Sequence, residues 1–77
     1  MIMDYLEDSL YRIRQYAKQK NIDISGLSDE IVMEMSQQFY KNYYSYEMDE
    51  EYAALAAISE IVSDKGIEIR GFEKWIP

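Results

Sequence analysis

Four carboxylates lie within five positions near the middle of the chain, at Glu47, Asp49, Glu50 and Glu51. Paired acids can perform glycoside hydrolysis, and clusters of oxygen ligands can hold calcium or magnesium. The spacing is typical of neither, because the glycine of a calcium loop is missing and no second acidic cluster belongs to a recognisable cleft motif. Histidine and cysteine do not occur in the chain, which removes the commonest general acid and base, thiolate chemistry and cysteine-based zinc sites.

Motifs that would indicate an enzyme are also missing from the sequence. It contains no phosphate-binding loop, no dinucleotide-binding glycine pattern and no serine elbow. We therefore expect a chain that is not an enzyme and that has no catalytic residue, no metal site and no cofactor.

Aromatic residues surround the acidic cluster. Six of the eleven in the chain are Phe39, Tyr40, Tyr43, Tyr44, Tyr46 and Tyr52. If Phe39, Tyr43 and Tyr46 face a core, a helix must turn Tyr40 and Tyr44 to a different face. Tyrosine is enriched at interfaces, because it offers large apolar area, a hydroxyl group and little rotamer freedom to lose. Two interpretations remain: a binding surface, or tyrosine tips that protrude from the rim of a small core.

We assign a partner-binding surface to the corner where the acids and the tyrosines meet. An acidic, aromatic corner can meet a basic patch on a partner, with steering by the long-range electrostatic field. For each single acid the alternative is helix-start electrostatics and solubility. The candidate partner-binding residues are Tyr40, Tyr44, Tyr46, Glu47, Asp49, Glu50, Glu51 and Tyr52.

Hydrophobic periodicity predicts three helices that position this corner. The first runs from Ile2 to about Lys20, the second follows the N-cap residue Ser28 and runs to about Tyr46, and the third follows the N-cap residue Asp49 and runs to about Lys65. Gly66 fits the left-handed position of a Schellman motif at the end of the third helix. The predicted core positions are Leu10, Ile13, Val32, Phe39, Leu55 and Ile58.

The segment from Ile67 to Pro77 is expected to pack across the helices through Phe72, Trp75 and Ile76. Two pieces, Ile22 to Ser25 and Ile67 to Arg70, alternate like strands and would give one short two-strand pairing. The alternative is two extended loops whose isoleucines plug the bundle. The predicted fold is mainly α: one compact three-helix domain, residues 1–77, with an extended aromatic C-terminal segment.

The charge balance restricts the class of partner. Fifteen acidic and eight basic residues give a formal charge of −7, which disfavours direct binding to nucleic-acid phosphates. The one basic cluster, Arg12 to Lys20, is a weak nucleic-acid signal. A DNA-binding helix-turn-helix is disfavoured, because the third helix, which would be the recognition helix, carries acids. These are Glu50, Glu51, Glu60 and Asp64.

The longest apolar run, residues 53–58, is far shorter than a membrane span, and the first residues lack the features of a signal peptide. We therefore expect a cytoplasmic protein with no membrane partner.

These features favour stoichiometric, non-enzymatic binding to a protein with a basic surface. In the sharpest form of this hypothesis the chain is an inhibitor whose acidic surface occupies the nucleic-acid site of its partner, a DNA mimic of the phage-encoded anti-defence type. That step is an analogy from size and charge. The alternative is a homo-oligomeric structural or assembly domain that hides the tyrosines against a second copy, and a third hypothesis is a small DNA-binding regulator that uses the first helix.

Overall fold

Three α-helices and one π-helix make up most of the described chain. The computed structural model describes residues 2–69, and their side chains from residue 6 onward. The helices are α1 (Ile2–Gln19), α2 (Asp29–Tyr40) and α3 (Glu50–Lys65), with the π-helix Lys41–Ser45 continuing α2. The Cα radius of gyration, 11.4 Å, is that of a compact chain of this length. The prediction of a mainly helical, three-helix fold is confirmed.

The core lies where all three α-helices meet. Of the six positions predicted from periodicity, Leu10 is half-buried against the core, and the others are buried: Ile13, Val32, Phe39, Leu55 and Ile58. Ala53, Ala54 and Ala57 of α3 have no exposed surface, because their small side chains allow the neighbouring helices to approach closely. Among the described residues, α3 contributes six buried residues and α2 contributes four.

Both α1 and α3 end in Schellman motifs, and each of the two alternating isoleucine segments begins within such a motif. Asn21 (φ 58°) and Gly66 (φ 65°) take the left-handed conformation. The amide of Ile22 donates to the Ala17 carbonyl at 2.8 Å, and the amide of Ile67 donates to the Val62 carbonyl at 3.0 Å. Because both amides cap helices, they are not available for hydrogen bonds between strands.

No strand forms among residues 2–69, so the two-strand pairing does not occur there. Ile22 and Ile69 are instead buried in the core, and Ile24 and Ile67 are half-buried against it. The alternative, in which the isoleucines plug the bundle, is confirmed for these four residues. The predicted role of Phe72, Trp75 and Ile76 lies outside the described residues, as does Arg70.

The second helix departs from the prediction of one continuous α-helix to Tyr46. The Tyr46 amide bonds to the Lys41 carbonyl at 3.2 Å, a span of five residues that defines the π-helix. Asn42 is almost fully buried there, and its Nδ2 donates to the Ala53 carbonyl of α3 at 3.2 Å. Its Oδ1 accepts a hydrogen bond from Gln38 Nε2 at 2.9 Å. In this wider turn, both the oxygen and the nitrogen of the buried Asn42 amide have hydrogen-bond partners.

None of the helices among the described residues combines the length and the apolar character needed to cross a membrane.

Candidate protein-binding surface

The connection between the π-helix and α3 is short and tightly turned. Glu47 adopts a left-handed backbone conformation (φ 53°), and the amide of Met48 donates to the Asn42 carbonyl at 3.1 Å. Asp49 then precedes the first turn of α3 as its N-cap residue, as predicted, although its side chain makes no capping hydrogen bond. This turn places Tyr46, Glu47 and Asp49 at the surface.

The carboxylate of Glu50 is directed towards α1 and is only partly exposed to solvent. Arg12 Nη1 donates to its Oε1, and the Tyr16 hydroxyl donates to its Oε2. Arg12 also pairs with Asp8 at 3.1 Å, and its guanidinium lies 5.7 Å from the centre of the Tyr43 ring. Glu50 is therefore a link between α1 and the start of α3, held by two charge-assisted hydrogen bonds.

The protonation equilibria of α1 reflect this link. The hydrogen bond to Glu50, followed by burial, raises the pKa of Tyr16 to about 12. Burial alone would lower the pKa of Arg12, but the carboxylates of Asp8 and Glu50 outweigh it and raise that pKa. Both groups therefore remain protonated throughout the physiological range.

The second acid of the first turn, Glu51, pairs with Lys20 at 3.4 Å. Its side chain keeps 47% of its surface exposed, so this contact leaves it accessible to a partner. Exposed ion pairs of this kind contribute little to stability, about 0 to 1 kcal/mol.

The tyrosines of this region differ in their surroundings. Tyr40 and Tyr44 have ring centroids 4.7 Å apart, and Tyr44 meets the edge of Tyr43 at 4.8 Å. Tyr46 lies near Lys41, whose Nζ is 5.8 Å from the ring centre. Tyr44, Tyr46 and Tyr52 are 51%, 56% and 65% exposed, so each leaves half or more of its surface in solvent.

Tyr46 is exposed, so it does not face the core together with Phe39 and Tyr43. Helical periodicity placed it on the stripe of Phe39 and Tyr43, which are buried and half-buried respectively. The extra residue in the π-helical turn rotates the positions that follow it, so that Tyr46 leaves this stripe.

An open groove of about 870 Å³ runs along the outward side of α3. Tyr52, Ala56 and Glu60 follow one another at intervals of one helical turn along it. The described residues that line it are Met48, Asp49, Glu51, Tyr52, Leu55, Ala56, Ser59 and Glu60. Apolar side chains form much of this lining, the acids are spread among them, and none of the described lining residues is a lysine or arginine.

The basic residues of α1, and Lys20 directly after it, are dispersed rather than gathered into one surface. Arg12 and Lys20 are engaged by carboxylates of α3. Arg14 and Lys18 line a separate cleft of about 450 Å³, beside Asp23 and Asp29. This arrangement offers few contiguous cations to a phosphate backbone.

The structure thus brings together only part of the predicted site. Asp49, Glu51 and Tyr52 share the groove, Glu50 is directed to α1, and Tyr40 and Tyr44 form their own pair. The groove residues that sequence reasoning missed are Met48, Leu55, Ala56, Ser59 and Glu60. Met48, Ala56 and Glu60 lie on the stripe of Tyr52 at intervals of four residues, and Leu55 and Ser59 lie on a neighbouring stripe. The general apolar character of α3 concealed both signals.

Among the described side chains, those of residues 6–69, no group of three or more acids is arranged to hold a metal ion. No protein-family model, curated protein or solved structure matches this chain.

Proposed function

We propose that this chain is a non-catalytic domain that binds a protein with a basic surface. The observation that carries the proposal is the exposure of three tyrosines, Tyr44, Tyr46 and Tyr52, beside carboxylates where the π-helix ends and α3 begins. Burying such rings against a partner removes large apolar areas from water at little cost in side-chain entropy. Tyrosine is accordingly frequent among the residues that dominate binding energy.

The charges at this turn support a basic partner. Glu47 and Asp49 are exposed, and neither forms an ion pair with another described residue. With a formal charge of −7 on the whole chain, they add to a field that attracts cations over long range. Such charges act mainly on the association rate, whereas buried aromatic anchors act mainly on dissociation.

The finer form of the proposal is inhibition by occupation of the partner's nucleic-acid site. Carboxylates then stand in for phosphates, and the exposed tyrosines supply contacts that phosphates lack. This form requires that the chain and the nucleic acid exclude one another on the partner.

Affinity capture from the source organism, followed by kinetics on the purified partner at two salt concentrations, tests the proposal. The probe variant combines Glu47→Lys with Asp49→Ser, since serine preserves N-cap capacity. The control combines Glu30→Lys with Asp64→Ser, which makes the same change of charge beside Lys65 at the far end of α3. We expect a basic partner, slower association and a weaker salt dependence for the probe variant, and smaller changes for the control.

Equal effects of the two variants would contradict a localised site. Absence of a basic partner, together with an oligomer in light scattering that Tyr52→Ala dissociates, would replace the proposal with the homo-oligomeric one. A partner that holds nucleic acid and this chain at the same time would exclude only the DNA-mimic form.

A further inference from the structure

We propose that the groove on the outward side of α3 is the docking site for a basic amphipathic helix of the partner protein. The inference rests on the proposed function and names the element of the partner that is recognised. It concerns the groove lined by Met48, Asp49, Glu51, Tyr52, Leu55, Ala56, Ser59 and Glu60.

The form of the groove suits a helix. Ala56 lies between the larger Tyr52 and Glu60 on one stripe of α3, and all three line the groove. Met48, which is half-buried, adds apolar surface beside it. An amphipathic helix laid in such a groove inserts apolar side chains spaced three and four residues apart. The groove is not an enclosed cavity, and its lining extends from Asp49 to Glu60 over about three turns of α3, so it can hold an elongated segment.

The charges that line the groove favour an occupant with positive charge. Asp49, Glu51 and Glu60 lie among its apolar residues, and no cation is among the described lining residues. Lysine or arginine residues that flank the apolar stripe of a helix can pair with these acids, whereas an acidic helix would be repelled. Glu51 already pairs with Lys20, but it is exposed enough to accept a second cation.

Titration of the isotope-labelled full chain with a synthetic peptide, followed by NMR, tests the inference. The probe is a peptide of leucine and lysine of about 14 residues with apolar positions at i, i+3, i+4 and i+7. Its control has the same composition in an order that destroys the apolar stripe. We expect shifts at Tyr52, Ala56 and Glu60, and an affinity about tenfold higher for the patterned peptide.

A matched pair of variants locates the site. Ala56→Arg places a long cationic side chain in the groove, and Ser63→Arg adds the same charge at an exposed position farther along α3. We expect Ala56→Arg to weaken binding by about tenfold or more, and Ser63→Arg by less than about threefold. Equal affinity for the two peptides, or equal weakening by the two variants, would overturn the inference, because charge alone would then explain binding.

Two further outcomes would assign the groove to another occupant and overturn the inference. One is a dimer of the parent chain that Ala56→Arg converts to a monomer. The other is a displaced indole signal of Trp75 in free Ala56→Arg but not in Ser63→Arg, which would indicate the chain's own C-terminal segment. If the captured basic protein is sensitive to Glu47→Lys with Asp49→Ser but not to Ala56→Arg, the proposed function stands without the groove. If no basic protein is captured, the peptide titration still decides the groove on its own.

Discussion

Glu50 and Tyr52 are two residues apart in α3, and they have opposite surroundings. Glu50 accepts hydrogen bonds from Arg12 and Tyr16 of α1, while Tyr52 is 65% exposed in the groove on the other side. Two residues correspond to roughly 200° of rotation about a helix, so neighbouring members of one acidic, aromatic run must face different ways. The run therefore has two physical roles, one in joining helices and one at the surface.

The largest expected difference in stability is between a substitution on the inner side of α3 and one on its outer side. Ile58→Ala removes a fully buried side chain and should lower the free energy of unfolding by about 2–5 kcal/mol. Tyr52→Ala, at an exposed position, should change it by less than about 0.5 kcal/mol. Urea denaturation followed by circular dichroism measures both. Similar midpoints for the two variants would show that the faces of α3 have been assigned incorrectly.

A smaller difference in stability is expected between substitutions of two acids of the same run. Glu50→Gln weakens the hydrogen bonds from Arg12 and Tyr16, and it should cost about 1–2 kcal/mol of stability. Glu47→Gln alters an exposed acid and should cost less than about 0.5 kcal/mol. The pair of denaturation midpoints checks this difference, and a larger loss for Glu47→Gln would contradict the proposed link between α1 and α3.

The smallest effect concerns alkaline pH. The pKa of Tyr16 rises from 10.0 to about 12 in the folded chain, so folding favours the protonated hydroxyl. This contribution is complete below the pKa of the unfolded state and is lost as the pH rises towards about 12. Tyr16→Phe should cost about 0.5–1.5 kcal/mol at neutral pH. The difference between parent and variant should shrink over this alkaline range, whereas a constant difference in urea midpoints would argue against the hydrogen bond to Glu50.

Local signals predicted much of the helical framework. Ser28 caps α2 as expected, with its Oγ accepting from the Ile31 amide at 3.3 Å, and Gly66 ends α3 in the left-handed conformation. Such caps are recognisable because their partners lie within a few residues. Five of the six core positions predicted from helical spacing are buried for the same reason, since one stripe of each helix must leave water.

The division of the acidic run could not be predicted in this way. Arg12 is 38 residues from Glu50, and no local pattern announces their contact. The π-helix likewise depends on a distant partner, because the buried amide of Asn42 bonds to Ala53, 11 residues away.

The sequence by itself determined the helical class, the helix caps and the negative charge, because these depend on residue types and on spacings within a few turns. Only the tertiary structure decided which carboxylates join α1 to α3, which tyrosines remain in solvent and where the groove lies. Those properties arise when helices pack, because packing buries one face of each helix and leaves the opposite face exposed to solvent.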